Sequence, residues 1–191
     1  MSAQRPLGAE AAPGHEFATL AGGCFWCLEA VFSELDGVVD VESGYSNGRT
    51  ESPRYREVCS GATGYAEAVR VEFDPARIQY RDLLEVFFAI HDPTTLNRQG
   101  NDVGTQYRSA VFYHSDGQRA IAAEFLREAA GLYEDEIVTQ LLPVERYHRA
   151  ELHHQEYFRL NPSQGYCLFV IGPKIEKFRR TFMRKRRVVT T

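Results

Sequence analysis

The chain has 191 residues, 43% hydrophobic and 25% charged, a composition that fits one soluble globular domain and excludes disordered, collagen-like and coiled-coil chains. The formal net charge is −4, but from Lys174 onward eight Lys or Arg stand against Glu176 alone, so residues 174–191 read as a basic tail on an acidic body. No apolar run approaches the roughly 18 residues of a membrane span, and four cysteines without a signal-peptide pattern point to a reducing, cytoplasmic compartment rather than a disulfide scaffold.

Residues 1–15, with one Arg, scattered Ala, Gly and Pro and no apolar run, read as a flexible N-terminal arm. Residues 17–22 follow as a strand, which Gly22-Gly23 ends, and the recurrence of Leu28, Val31, Phe32 and Leu35 predicts a helix stopped by Asp36-Gly37. Residues 38–41 supply a second strand, and a polar loop rich in Gly, Ser and Asn runs from 43 to about 64. Glu67, Val69, Val71 and Phe73 then alternate with Ala66, Ala68, Arg70 and Glu72, the period of a half-buried strand. A helix carries Leu83, Leu84, Phe87, Phe88 and His91, a second polar loop covers 92–108, and 109–114 form a strand. Residues 118–130 predict a helix with Ile121, Phe125 and Leu126 inward, and 137–142 another strand; beyond Pro143 the pattern is irregular. The order strand, helix, strand, strand, helix, strand, with an extra helix and strand, predicts an α+β, two-layer ferredoxin-like plait of the split βαβ type. One domain over 16–173 is expected, with function in its two long loops.

Cys24 lies where a strand passes into a helix, so the first turn's free N–H groups should favour its thiolate. A buried inert cysteine and a zinc ligand are the competing readings of Cys24, and one C-x-x-C pair lacks the second pair a closed zinc site needs. Cys27 follows three residues later on the same helix face. The alternation puts Glu67 on the core face, where desolvation raises a carboxyl pKa and suits it to general-acid work. Tyr55, Tyr107 and Asp102 occupy the two long loops and could together polarise an oxygen if those loops converge. His153 and His154 form one pair without a third ligand, so no metal is expected, and their place is a substrate-side surface or a surface helix.

The ordered segments GCFWC, PRYREVCSG, GYAEAVRVEFDP, HDPTTLNRQGNDVGTQYRSA, HHQEYF and NPSQGYC resemble the A-type peptide methionine sulfoxide reductases, from about residue 17 to 171. The resemblance implies that Cys24 attacks the sulfur of methionine S-sulfoxide, free or in proteins, while Phe25 and Trp26 hold the methyl group. It implies that Glu67, Tyr55, Tyr107 and Asp102 engage the oxygen and that Cys24 is left as a sulfenic acid. Cys167 is the first choice as resolving thiol because its NPSQGYC setting is similar to the family's recycling cysteine; Cys27 is the rival, and Cys59 reads as structural. Thioredoxin is the implied reductant, with no cofactor, no membrane or nucleic-acid partner, and a monomeric chain. Position 27 is often glycine in the family, position 65 is Tyr where histidine is usual, and the basic tail replaces a Gly-rich tail with a further cysteine found in some members. A thioredoxin-like disulfide oxidoreductase using CFWC is the alternative activity, and a binding module using the basic tail is the non-enzymatic one.

Overall fold

The structure, a computed structural model, describes residues 10–187; the outer parts of the N-terminal arm and of the basic tail lie outside the described residues. In chain order β1 (Glu16–Ala21) leads through Gly22-Gly23 into α1 (Phe25–Phe32), β2 (Val38–Ser46), α2 (Tyr55–Cys59), β3 (Ala66–Phe73) and α3 (Tyr80–Ile90). A two-residue hairpin, β4 (Arg98–Gln99) and β5 (Asp102–Val103), precedes β6 (Ala110–Tyr113), α4 (Asp116–Ala129), β7 (Gln140–Pro143) and β8 (Tyr147–Arg149). The chain then runs through the short α5 (Tyr157–Leu160) and a π-helical stretch, Cys167–Ile171, into α6 (Gly172–Thr181).

The result is a mixed α+β fold around one six-stranded sheet of order β7-β6-β1-β3-β2-β8. Every neighbouring pair is antiparallel except β6 with β7, which is parallel. α1 is enclosed nearly all round: its Phe25, Leu28, Val31 and Phe32 are buried in the main core with Leu83, Phe87 and Phe178, and Cys27 and Glu29 are buried as well. Side-chain caps hold α3 and α4. The Ser115 hydroxyl accepts the Gln118 N–H at 3.2 Å, and the Asp82 carboxylate accepts the Gln79 N–H at 3.0 Å.

Several expectations change. β2 runs on to Ser46, five residues past the expected end, because its polar residues pair with β3 on one side and β8 on the other. Gly44 lies where a Cβ would come within 2.4 Å of the Tyr147 ring, so the closeness of β8 explains the glycine. β3 is buried on both faces rather than half-buried: Glu72 pairs with His15 and Arg70 with Glu42 on the face opposite Glu67. Ile121 is exposed, and Gln118, Ala122, Phe125 and Ala129 form the inner face of α4. The two long loops are not bare: α2 lies in the first, the hairpin and a 3₁₀ turn, Thr105–Tyr107, in the second.

The described part of the basic stretch is docked. Ile175 and Phe178 of α6 are buried, Lys185 pairs with Asp82 and Glu85 at 2.7 and 2.6 Å, and Arg179 pairs with Glu34. The Asp36 N–H donates to the Lys185 carbonyl, and the Arg187 N–H to the Glu34 carbonyl. Surface ion pairs contribute little singly, so the buried Phe178 ring dominates this attachment. Replacing Phe178 with Ala is expected to lower unfolding stability by about 3–5 kcal/mol, the range for a buried Phe; equilibrium urea denaturation measures it, and a loss below about 1 kcal/mol would contradict a core role for α6.

Candidate active site

Cys24 is the residue immediately before α1, and no side chain caps that helix. Gly23 brings it there with φ +90°, and a Cβ at Gly23 would meet the Gln99 side chain at 2.6 Å, so the β4–β5 hairpin packs directly on the strand-to-helix turn. Gln99 anchors the hairpin by accepting the Asp92 N–H and donating to the Asp92 carbonyl, each at 3.0 Å.

The helix-terminus argument predicts a depressed thiol at Cys24, and the structure reverses it. Burial, the neighbouring Cys27 thiol and the Glu67 carboxyl push Cys24 well above the ordinary thiol range. Desolvation outweighs the helix field here. The hydrogen bond from the Cys24 S–H draws the Cys27 thiol down. All four cysteines are free, and Cys24, Cys27 and Cys167 are buried. Cys167 feels the charge of Cys27.

Glu67 faces this pair from β3. It is 1% exposed, its Oε2 accepts the Phe25 N–H at 3.2 Å, and burial, opposed by that bond, lifts its carboxyl to about 8. Near neutral pH it therefore holds its proton. The two loops do converge: Tyr55, first residue of α2, and Tyr107, last of the 3₁₀ turn, both feel the Glu67 charge, and burial raises both phenols so that they remain O–H donors. Tyr55 is fixed through its backbone N–H, donated to Glu151 at 2.9 Å. Asp102 lies in β5 near Glu67 and accepts the Tyr166 hydroxyl at 2.7 Å.

Phe25 is fully buried beneath Trp26, with ring centroids 6.1 Å apart. Trp26 stacks on Tyr157 at 3.7 Å and 6°, meets Tyr166 edge-on at 5.8 Å, and lies 5.5 Å from the His154 ring. His154 is buried, not on a surface helix; burial lowers it to about 4, and its neutral ring sits 4.5 Å from the Tyr55 ring. Tyr166 also hydrogen-bonds the Cys24 thiol, joining the acid side of the cluster to the aromatic side. Sequence reasoning does not single out Tyr157 or Tyr166, whose only signal is membership of HHQEYF and NPSQGYC, and it weighs His154 only with His153, as a metal pair or part of a substrate-side surface. Among the described residues no group of three His, Cys, Asp or Glu side chains could hold a metal ion.

A buried thiol, a second thiol bonded to it, a protonated carboxyl, two phenols and an aromatic wall define a thiol-dependent reductase of an α+β fold. The sequence model for "Peptide methionine sulfoxide reductase" matches residues 16–187. A peptide methionine sulfoxide reductase MsrA of Natronomonas pharaonis is 56% identical over 170 residues, 88% of this chain and 96% of that protein. The crystal structure of Mxr1 from Saccharomyces cerevisiae in reduced form superposes with a TM-score of 0.78 at 36% identity, covering 85% of this chain and 94% of that one. Mxr1 in complex with Trx2 matches with a TM-score of 0.55 at 27% identity, covering 78% and 90%. The chain belongs to the peptide methionine sulfoxide reductase family. It is an oxidoreductase that reduces methionine sulfoxide through a thiol, which sets aside the thioredoxin-like and tail-binding alternatives.

The Glu67 proton carries a pH dependence with a definite sign. A carboxyl raised to about 8 is a competent acid below that value and loses its proton as the pH rises through it. Single-turnover methionine formation, followed by quenched flow, is expected to decline above about pH 8. Glu67→Gln should be slower by roughly 10² to 10⁴ and lack that alkaline limb; Asp102→Asn should lose less. Equal, mild losses in both variants would remove Glu67 from the acid's place.

Proposed function

We propose that the chain reduces the S epimer of methionine sulfoxide, free or in proteins, with Cys24 as nucleophile and Glu67 as acid, and that thioredoxin recycles it. The observation that carries this reading is the contact of a buried, protonated Glu67 with the turn that presents Cys24. The Cys24 sulfur attacks the sulfoxide sulfur as the Glu67 proton moves to the oxygen, and the thiol's own proton replaces the one given up. The substrate S–O bond then breaks, a Cys24 S–O bond forms as the hydroxyl passes to that sulfur, and the transient S–S bond breaks with its electron pair going to methionine, which leaves Cys24 as a sulfenic acid. Tyr55 and Tyr107 donate to the developing oxyanion, Asp102 orients that side of the pocket, and Phe25 and Trp26 receive the methyl group.

Recycling is read as a relay. The Cys27 thiol, already hydrogen-bonded to Cys24, condenses with the sulfenic acid to a disulfide and water. Cys167 then attacks the Cys27 sulfur, freeing Cys24, and a thioredoxin dithiol reduces the Cys27–Cys167 disulfide while its own two thiols become a disulfide. The relay keeps Cys167 as the thiol that meets the reductant and gives Cys27 the first condensation, for which the Cys24–Cys27 hydrogen bond is the support. The complex of the related Mxr1 with Trx2 supports thioredoxin as the donor. The strand order β6-β1-β3-β2, all antiparallel with α1 and α3 as crossovers, supports a ferredoxin-like plait extended by β7 and β8.

The decisive experiment offers separated S and R epimers of a methionine sulfoxide peptide with dithiothreitol. The S epimer alone is expected to yield methionine, and Cys24→Ser should abolish the yield while keeping the far-ultraviolet spectrum, because a hydroxyl is a far weaker nucleophile. Reduction of the R epimer, or turnover by Cys24→Ser, would refute the assignment.

The relay makes its own prediction. After one equivalent of sulfoxide, Cys167→Ser should release about one methionine and trap a Cys24–Cys27 disulfide, whereas the unmodified chain should accumulate Cys27–Cys167. Mass mapping decides it. A Cys24–Cys167 bond formed as readily in Cys27→Ser would leave Cys27 out of the pathway.

A further inference from the structure

Glu29 has no part in the chemistry above, yet it is among the most committed carboxyls in the molecule. It lies one turn beyond Trp26 on α1 and is 3% exposed. Its Oε1 accepts the Glu156 backbone N–H at 2.9 Å, and its Oε2 accepts the Tyr157 N–H at 3.2 Å. Burial raises this carboxyl to about 7 against the pull of the two bonds, so above that pH it accepts them as a carboxylate, and charge-assisted bonds of this kind are about twice as strong as neutral ones. Glu156 is held in the left-handed region, at φ 52° and ψ 32°, which a residue with a Cβ adopts only under strain. Immediately after this strained turn the Tyr157 ring lies flat on Trp26.

Two features of the same helix therefore grip the same distant segment, Glu29 by its backbone and Trp26 by its ring. The ring contact alone leaves Tyr157 free to slide over the indole; the carboxylate fixes where the turn sits along α1. We propose that Glu29 is a positioning residue for substrate binding: it locks the 156–157 turn so that Tyr157 holds the Trp26 indole in the orientation that receives the substrate methyl group. This rests on the reading of Trp26 as part of the methyl-binding wall.

Trp26 is the chain's single tryptophan, so its emission reports the wall directly and without turnover. Glu29→Gln places an amide N–H₂ against one of the two backbone donors and releases the turn. Its emission maximum is expected to move to longer wavelength as water reaches the indole. KM for an S-sulfoxide peptide should rise about tenfold or more, with the saturated single-turnover rate within about threefold of the parent. Glu29→Asp should partly restore both readouts. Tyr157→Ala should reproduce them, Tyr157→Phe should keep parental values, and the Glu29→Gln/Tyr157→Ala pair should do no worse than either alone, since both break one contact. Parental emission and KM in folded Glu29→Gln overturn the proposal, as do additive losses in the pair. Should Glu29→Gln fail to fold by circular dichroism, parental KM in Tyr157→Ala overturns it equally. A parent chain that forms no methionine with dithiothreitol sinks the reductase reading alone, because the emission comparison still stands.

Discussion

Removing water from around Glu67 raises its affinity for a proton more than the single Phe25 N–H lowers it. The same exclusion of water raises the Cys24 thiol and keeps the phenols of Tyr55 and Tyr107 protonated. A site built this way stores its acid hydrogens until a polar oxygen enters, and the low local dielectric makes each donor count for more than it would in water. The Trp26–Tyr157 stack, the His154 ring, and Tyr166 donating to Asp102 border this site. A field from the start of α1 cannot set the reactivity of Cys24 by itself, because the thiol is too deeply buried for its ionised form to be the resting one.

The sheet supplies the fixed reference for this arrangement. β3, between β1 and β2 in the sheet, presents Glu67 near its N-terminal end, β1 delivers the Gly22-Gly23 turn beside it, and β2 with β8 carries the segment that reaches Glu151 and the Tyr55 N–H. The remaining parts come from irregular chain: the β4–β5 hairpin with Asp102, the 3₁₀ turn with Tyr107, and the 150–167 segment with His154, Tyr157, Tyr166 and Cys167. That division places Glu67 on a strand paired on both sides and the aromatic side chains around Trp26 on irregular chain.

What the sequence made legible follows from what periodicity can encode. The alternation in β3 and the three-four spacing in α1 and α3 identified the elements that pack the core, and Glu67 stood out because its carboxyl shared a face with Val69, Val71 and Phe73. Periodicity could not say that Arg70 and Glu72 are buried as well, since their partners Glu42 and His15 come from a neighbouring strand and from the segment before β1. The continuation of β2 through Ser43, Gly44 and Ser46 was hidden for the same reason: its strand character comes from two hydrogen-bonded neighbours, not from its own side chains. The wall on Trp26 escaped notice because stacking between residues 26 and 157 leaves no local pattern, whereas the ordered family motifs carried Cys24, Tyr55, Tyr107 and Asp102 together. Ile121 had the right spacing but the wrong face, because Gln118 took the inward place by bonding the Phe17 carbonyl.

The docking of α6 and the residues after it bears on how the chain acquires its shape. Phe178 and Ile175 fill the core against α1 and α3, and the Asp36 N–H and Glu34 carbonyl find their partners at Lys185 and Arg187, about 150 positions downstream. Loop closure over such a span comes late, when the ordered sheet and helices already stand ready to receive it. During synthesis, then, the parts of α1 and α3 that Ile175 and Phe178 cover stay open until residues 172–187 have left the ribosome.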